Sequence, residues 1–358
     1  MNLKFIQPFF GIVMATLTLS CAAAQDHGHL TWAQLPPLPD PPGVAAPFAG
    51  ESGGALLVAG GANFPHGYPW EGGKKVWYDT VYALTAPTGR WQIAGHLPRS
   101  LAYGVSITTP QGVLCIGGSD ASRHYADVFL LRYSAGKIQI ENYPPLPVPL
   151  ADAAGALAGS MVYVGGGSEK PGEQSALNRL FSLDLTAGEL QWHELAPCPG
   201  KPRILPVAAA IRDTFYLAGG AALEPTNGRI ARVYLRDAWS YAPDTGWQRV
   251  ADLPKPIVAA PSPAPSVDSE FLVVGGDDGS HAGFKPVQKH PGFSKSILAY
   301  DAKANVWRVD GETPAPRATA PVARWQNRFV IPCGEMRPGI RSPQVWTLSL
   351  ETNPPAHD

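Results

Sequence analysis

Six times along this 358-residue chain an apolar run stops at a pair of small residues, and no other feature restricts the fold as tightly. The six are Leu57-Val58-Ala59-Gly60-Gly61, Leu114-Cys115-Ile116-Gly117-Gly118, Val162-Tyr163-Val164-Gly165-Gly166, Tyr216-Leu217-Ala218-Gly219-Gly220, Leu272-Val273-Val274-Gly275-Gly276 and Val330-Ile331-Pro332-Cys333-Gly334. Successive dyads lie 48 to 58 residues apart, and the last replaces its first glycine by Cys333. A period near fifty residues calls for a repeat architecture, in which each unit hides its apolar face against its neighbours. With 38 Gly and 38 Pro, short apolar runs rich in Val, Leu, Phe and Tyr, and no long stripe of helical period, every unit reads as β.

Two further landmarks keep the same order. A short strand follows each dyad, as in Val81-Tyr82-Ala83-Leu84 and Val345-Trp346-Thr347-Leu348. Then comes a Trp ahead of a Pro-containing link: Trp91, Trp192, Trp247 and Trp307, with Ile138 standing in the second repeat. After Trp346 no such strand remains, yet an unclaimed copy, Trp32-Ala33-Gln34-Leu35-Pro36, precedes the first repeat. The pattern resembles the kelch repeat, one four-stranded blade per unit. It predicts an all-β, six-bladed kelch-type β-propeller whose N-terminal strand joins the C-terminal blade and closes the ring. Residues 25–358 then form one domain. Two β-sandwiches are the alternative, but they require neither a regular dyad nor a displaced terminal strand.

Residues 1–24 are expected to be a secretory signal peptide. One charge at Lys4, a mostly apolar stretch over 5–19 and Cys21-Ala22-Ala23-Ala24 give the layout of a cleaved leader. Export, with the periplasm as destination, follows; a lipid anchor on Cys21 is the competing reading, against which Thr18 is a poor match. Net charge is −1, with no run of like charges, so nothing points to nucleic acid or an anionic membrane as partner. No later segment is long and apolar enough to be a transmembrane helix. Beyond the leader, Cys115, Cys198 and Cys333 are odd in number and cannot all pair; Cys115 and Cys333 read as buried thiols. No His/Cys spacing suggests a zinc site, and no metal or other cofactor is expected.

In kelch blades the dyad ends the second strand, so the six dyad loops and six interblade links open on one mouth of the ring. There the sequence puts Asn63, Phe64, His66, Tyr68, Lys74 and Lys75 after Gly61, and Asp277, Asp278, His281 and His290 after Gly276. Glu335, Arg337 and Arg341 follow Gly334, and Arg99, Arg203 and Arg317 stand in the links. Cations gathered on one face of a neutral chain suit a small carboxylate ligand gripped by guanidinium forks. Each Arg has a second reading, as a tie to neighbouring backbone or carboxylate. The histidines read as solvated or loop-pinning. Glu335, fixed at a strand end beside Arg341 or Arg317, is either one half of a structural ion pair or a general base.

The run Gly334-Glu335-x-x-Pro338-Gly339-Ile340-Arg341 resembles the active-site loop of the N-acetylneuraminate epimerases, the bacterial sialic acid mutarotases. Gly60-Gly61-Ala62, Glu71-Gly72-x-Lys74-Lys75, Ala102-Tyr103-Gly104-Val105-Ser106 and Pro202-Arg203 extend the likeness along the chain. The Glu-bearing blade is last here, whereas it is mid-chain in the better-known members, so the order resembles a cyclically permuted branch. The resemblance implies interconversion of the α- and β-anomers of N-acetylneuraminate or a related acidic sugar, without cofactor. It gives Glu335 as proton acceptor and Arg341 as its assistant. Arg203 or Arg317, with Arg99, Asn63 and Lys75, become substrate-binding candidates, and Tyr103, Phe64 and Tyr68 candidates for the N-acetyl and glycerol pockets. Arg337 is a bystander. The alternative is a non-catalytic propeller that binds a glycan or a protein.

Overall fold

The computed structural model describes residues 30–40 and 42–350, so the segment expected to be a leader, with Cys21, lies outside the described residues. Six four-stranded antiparallel sheets are arranged as successive blades. Five of them are continuous in sequence. The sixth is built from Ala323–Trp325, Arg328–Pro332 and Val345–Leu350, with Leu30–Leu35 as its outermost strand, Trp32 opposite Leu348. The displaced strand therefore closes the ring where the missing repeat demanded it. Neighbouring blades bury alternating Val, Leu, Ile and Phe between their faces.

The dyads earn their place through backbone contact. Both residues have positive φ, and the second donates its N–H to a link carbonyl of the next blade. Gly61 bonds Leu101 (2.8 Å), Gly118 bonds Leu150 (2.8 Å), Gly220 bonds Ile257 (2.7 Å), Gly276 bonds Arg317 (3.1 Å), and Gly334 bonds Val44 across the closure (2.9 Å). In the third blade the pair is Gly166-Gly167, one residue later than the sequence suggested. Gly165 stays in the strand opposite Ala154 and Leu180, and Gly167 makes the bond, to Arg203. Three consecutive glycines left that register open. Cys333 takes the left-handed conformation itself (φ 60), and the three described cysteines, Cys115, Cys198 and Cys333, are buried and free.

A second set of bonds lines the central axis. Ala46, Tyr103, Asp152, Leu205, Ala259 and Thr319, one from each link, all have φ between 49 and 63. Each donates its N–H to the carbonyl of the one before, and Ala46 donates to Thr319, so six bonds of 2.7–3.1 Å form a closed circle. The recurring Trp acts at the rim. Indole N–H groups of Trp91, Trp192, Trp247 and Trp307 donate to Pro36, Pro144, Ala196 and Ala251, each in the link that leaves the preceding blade.

These contacts separate two costs. A Cβ on Gly117 would lie 2.3 Å from the Leu150 carbonyl oxygen, whereas one on Gly136, also at positive φ, would meet nothing within 4 Å. Gly136→Ala should cost about 1–2 kcal/mol for the left-handed backbone alone. Gly117→Ala should cost clearly more in the same urea denaturation series, because backbone must move.

Candidate active site

A cavity of about 560 Å³ opens on the dyad-loop face of the ring, within the range of roughly 300–1,000 Å³ usual for small-molecule sites. Its floor includes the circle residues Tyr103, Asp152, Leu205 and Thr319. Below them a narrower channel of mostly small side chains continues down the axis.

Glu335 enters this cavity from the residue directly after the sixth dyad. Its backbone is pinned in both directions to Ala318, N–H to carbonyl at 2.8 Å and carbonyl from N–H at 2.9 Å. The chain then turns at Pro338-Gly339 and returns, so that Glu335 and Arg341 face each other across a two-stranded ribbon. Gly339 at φ 82 leaves room for Pro69 and Trp70 of the first dyad loop. Arg341 Nη1 donates to Glu335 Oε1 at 2.5 Å, and Gly339 N–H donates to the same oxygen at 2.7 Å. Glu335 Oε2 has no hydrogen-bond partner among the described residues. Of the two readings the spacing left open, the ion pair is formed, through Oε1, and Glu335 also lines the cavity.

Around this pair the site is aromatic. The Arg341 guanidinium lies 4.9 Å from the Phe64 ring centre, with its side chain only 5% exposed and its Nε without a partner. Lys75 Nζ donates to Tyr103 Oη at 3.0 Å and sits over the Phe64, Trp77 and Tyr103 rings at 5.8, 5.5 and 4.9 Å. Trp77 Nε1 is a second buried donor without an acceptor. Two unanswered donors and two cations over aromatic faces complement a ligand rich in acceptor oxygens.

Several sequence candidates stand elsewhere. Arg203 is 0% exposed and fully engaged: its guanidinium holds both Asp237 oxygens and the carbonyls of Lys201 and Gly219. Arg317 is buried against the carbonyls of Cys333 and Pro316, Ser342 Oγ and Gln344 Oε1, and burial pushes its pKa down to about 10. Arg99 pairs with Asp127 and stacks on Tyr125. In each case the link cation ties to the residue just before the third strand of its own blade. Lys255 makes a similar tie, to Ser294 and Ser296 around the start of that strand and to Asp278. None of these four lines the cavity. Asn63 is likewise structural, donating to the Gly43 carbonyl and accepting from Tyr78 Oη. Phe64 lines the cavity; Tyr68, stacked on Trp70, and Arg337 are outside its lining.

Sequence reading missed Arg232, on the extra hairpin of the fourth blade, and His124 and Asp152, which also line the cavity. Asp152 had a signal: it occupies the same repeat position as Tyr103. Cations and carboxylates are balanced over the lining, Lys75, Lys170, Arg232 and Arg341 against Asp120, Asp152, Glu173 and Glu335. The expected excess of positive charge goes instead into the ties that hold each link to the blade it enters. Among the described residues no group of three His, Cys, Asp or Glu is placed to hold a metal ion.

A family model described as N-acetylneuraminate epimerase matches residues 14–140 and 143–280. A Haemophilus influenzae (strain PittEE) protein named N-acetylneuraminate epimerase is 29% identical over 229 residues, covering 57% of this chain and 58% of the relative. A Yersinia pestis (strain Pestoides F) protein of the same name is 28% identical over 251 residues, covering 63% and 62%. These matches span less than two thirds of the relatives' lengths. A solved structure, "Structure of YjhT", superposes with a TM-score of 0.65 at 15% identity over 89% of this chain and 98% of its own, and shares the fold.

The Arg203–Asp237 tie sets a stability test. Burial would raise the Asp237 carboxyl, but the bonds and charge of Arg203 outweigh it and hold it below its usual value. A depressed carboxylate stabilises above its unfolded pKa of about 4 and loses that contribution as pH falls through the folded value. Arg203→Ala strands Asp237 and should cost about 3–5 kcal/mol at neutral pH in chemical denaturation. The difference from wild type should shrink below about pH 4.

Proposed function

The chain belongs to the N-acetylneuraminate epimerase family, and from that premise we propose that it is a mutarotase for N-acetylneuraminate or a closely related acidic sugar, acting by general acid–base catalysis without a cofactor. The observation that carries this reading is the divided state of Glu335. Oε1 is held by Arg341 and the Gly339 N–H, Oε2 has no partner among the described residues, and Glu335 lines the cavity. A carboxylate so fixed has one oxygen oriented and one available to take a proton.

Mutarotation asks for little more. A base removes the proton of the anomeric hydroxyl, the bond from anomeric carbon to ring oxygen breaks, and the ring oxygen gains a proton. The open-chain ketone turns, and the same hydroxyl adds to its opposite face. Arg341 lies between Glu335 and Phe64 with Nε free, and Lys75 stands over the same ring, so both suit the sugar carboxylate. Tyr103 and Trp77 offer flat surfaces to the ring and its substituents. The composition of residues 1–24 supports action after export, in the periplasm.

Exchange between the anomers, followed by NMR at neutral pH, tests the reading. Wild type should exceed the spontaneous rate, and Glu335→Gln should lose about 10²–10⁴-fold in kcat, the contribution usual for one positioned proton transfer. Sugar binding with no acceleration by wild type, for N-acetylneuraminate and related acidic sugars alike, would leave a binding protein instead.

A further inference from the structure

We propose that Asp152 is the catalytic acid of this site, the group that protonates the ring oxygen as the sugar opens; the assignment rests on the mutarotase reading above. Four carboxylates line the cavity, and three are already engaged. Asp120 accepts from the Tyr125 hydroxyl, the Ser122 hydroxyl and the backbone of Ser122 and Arg123. Glu173 accepts the backbone N–H groups of Glu169 and Lys170. Glu335 is held by Arg341 and Gly339. The Asp152 carboxyl alone has no hydrogen bond or ion pair among the described residues, although it sits on the cavity floor.

Its backbone explains the placement. Asp152 is a member of the axial circle, donating its N–H to Tyr103 and accepting from Leu205, at φ 57. The other five members carry Ala, Tyr, Leu, Ala and Thr, so this is the circle's single ionisable carboxyl. Tyr103, the neighbouring member, receives Lys75. Arg232 and Lys75 are the cations whose charge reaches Asp152, and His124, Glu335 and Arg341 line the same cavity. Burial raises the Asp152 carboxyl and outweighs the opposing pull of the neighbouring positive groups, which favours a proton donor. The site then holds two carboxyls in contrasting surroundings, one anchored by a guanidinium and one in a desolvated floor position. Such pairs divide acid from base.

The cycle balances without a co-reactant. Glu335 takes the anomeric hydroxyl proton as the bond from anomeric carbon to ring oxygen breaks, and Asp152 gives its proton to that oxygen. After the ketone turns, Asp152 recovers the proton as the hydroxyl adds to the carbonyl, and Glu335 returns its own to the new anomeric oxygen. Both groups end as they began.

Asp152→Asn tests this, because Asn tolerates positive φ and should leave the circle intact. Asp152→Gly, which also accepts that φ, serves if the first variant fails to fold. In NMR exchange measured across pH, wild type should lose rate on the alkaline side as the acid deprotonates. Asp152→Asn should lose about 10²–10⁴-fold in kcat with KM little changed, and its alkaline limb should vanish while the acid limb remains. A variant that keeps the wild-type alkaline limb, or that loses less than about tenfold, overturns the assignment and leaves the mutarotase reading standing. Wild-type exchange no faster than the spontaneous rate overturns both.

Discussion

The circle of six backbone hydrogen bonds around the axis is the constraint on which the rest of the molecule depends. Each member holds a left-handed conformation that costs a non-glycine residue about 1–2 kcal/mol. None of the six is glycine. Such a conformation persists only where its surroundings over-determine it. Here they do: the preceding link residue pairs with the residue after its blade's dyad, as Ala45 does with Ala62, Ala102 with Ser119 and Ala318 with Glu335. Dyad bonds then run outward to the next blade. The ring is closed three times, by the axial circle, by the dyad bonds and by Leu30–Leu35 completing the last sheet. That redundancy is why the starting blade matters little, and why a permuted order can keep the same neighbours in contact.

A frame of this kind makes chemistry out of broken symmetry. Two repeat positions supply lining residues to the cavity in several blades: the residue after the dyad and the member of the circle. At the first, the chain has Ala62, Ser119, Ser168, Ala221, Asp277 and Glu335. At the second it has Ala46, Tyr103, Asp152, Leu205, Ala259 and Thr319. Backbone geometry is nearly the same at every copy, so the identity of one side chain decides what each copy does. Asp277, the counterpart of Glu335, accepts from Tyr234 Oη. Glu335 has instead an Arg six residues on, delivered to the same oxygen as a backbone N–H by a turn at Pro338-Gly339. The strongest contacts of the site are thus local, while the cavity around them is assembled from distant loops.

The cations follow the same logic. Arg99, Arg203 and Arg317 look like ligand residues in sequence because they follow a proline at the mouth of the ring, a position Lys255 shares. In the fold they bridge link and third-strand entry. Arg203 and Arg317 are buried with every guanidinium nitrogen already bonded to a protein oxygen, which takes them away from a substrate. The cations left for the cavity are Lys75, Lys170, Arg232 and Arg341, of which the sequence singled out two.

How much was legible follows from these particulars. Periodicity alone determined the number of blades, the position of the dyads to within one residue and the donation of Leu30–Leu35 to the last blade, because each rests on spacing along the chain. Glu335 and Arg341 were legible too, since a six-residue turn brings them together without help from other blades. What only the tertiary structure decided was everything that depends on direction and on contact between blades. It sent Arg203 and Arg317 inward to carbonyls and Asn63 to Gly43, aimed Lys75 at Tyr103, and left the Asp152 carboxyl bare on the cavity floor. A repeat pattern states which positions are equivalent, but not which neighbour reaches each side chain first. That is settled where the blades meet.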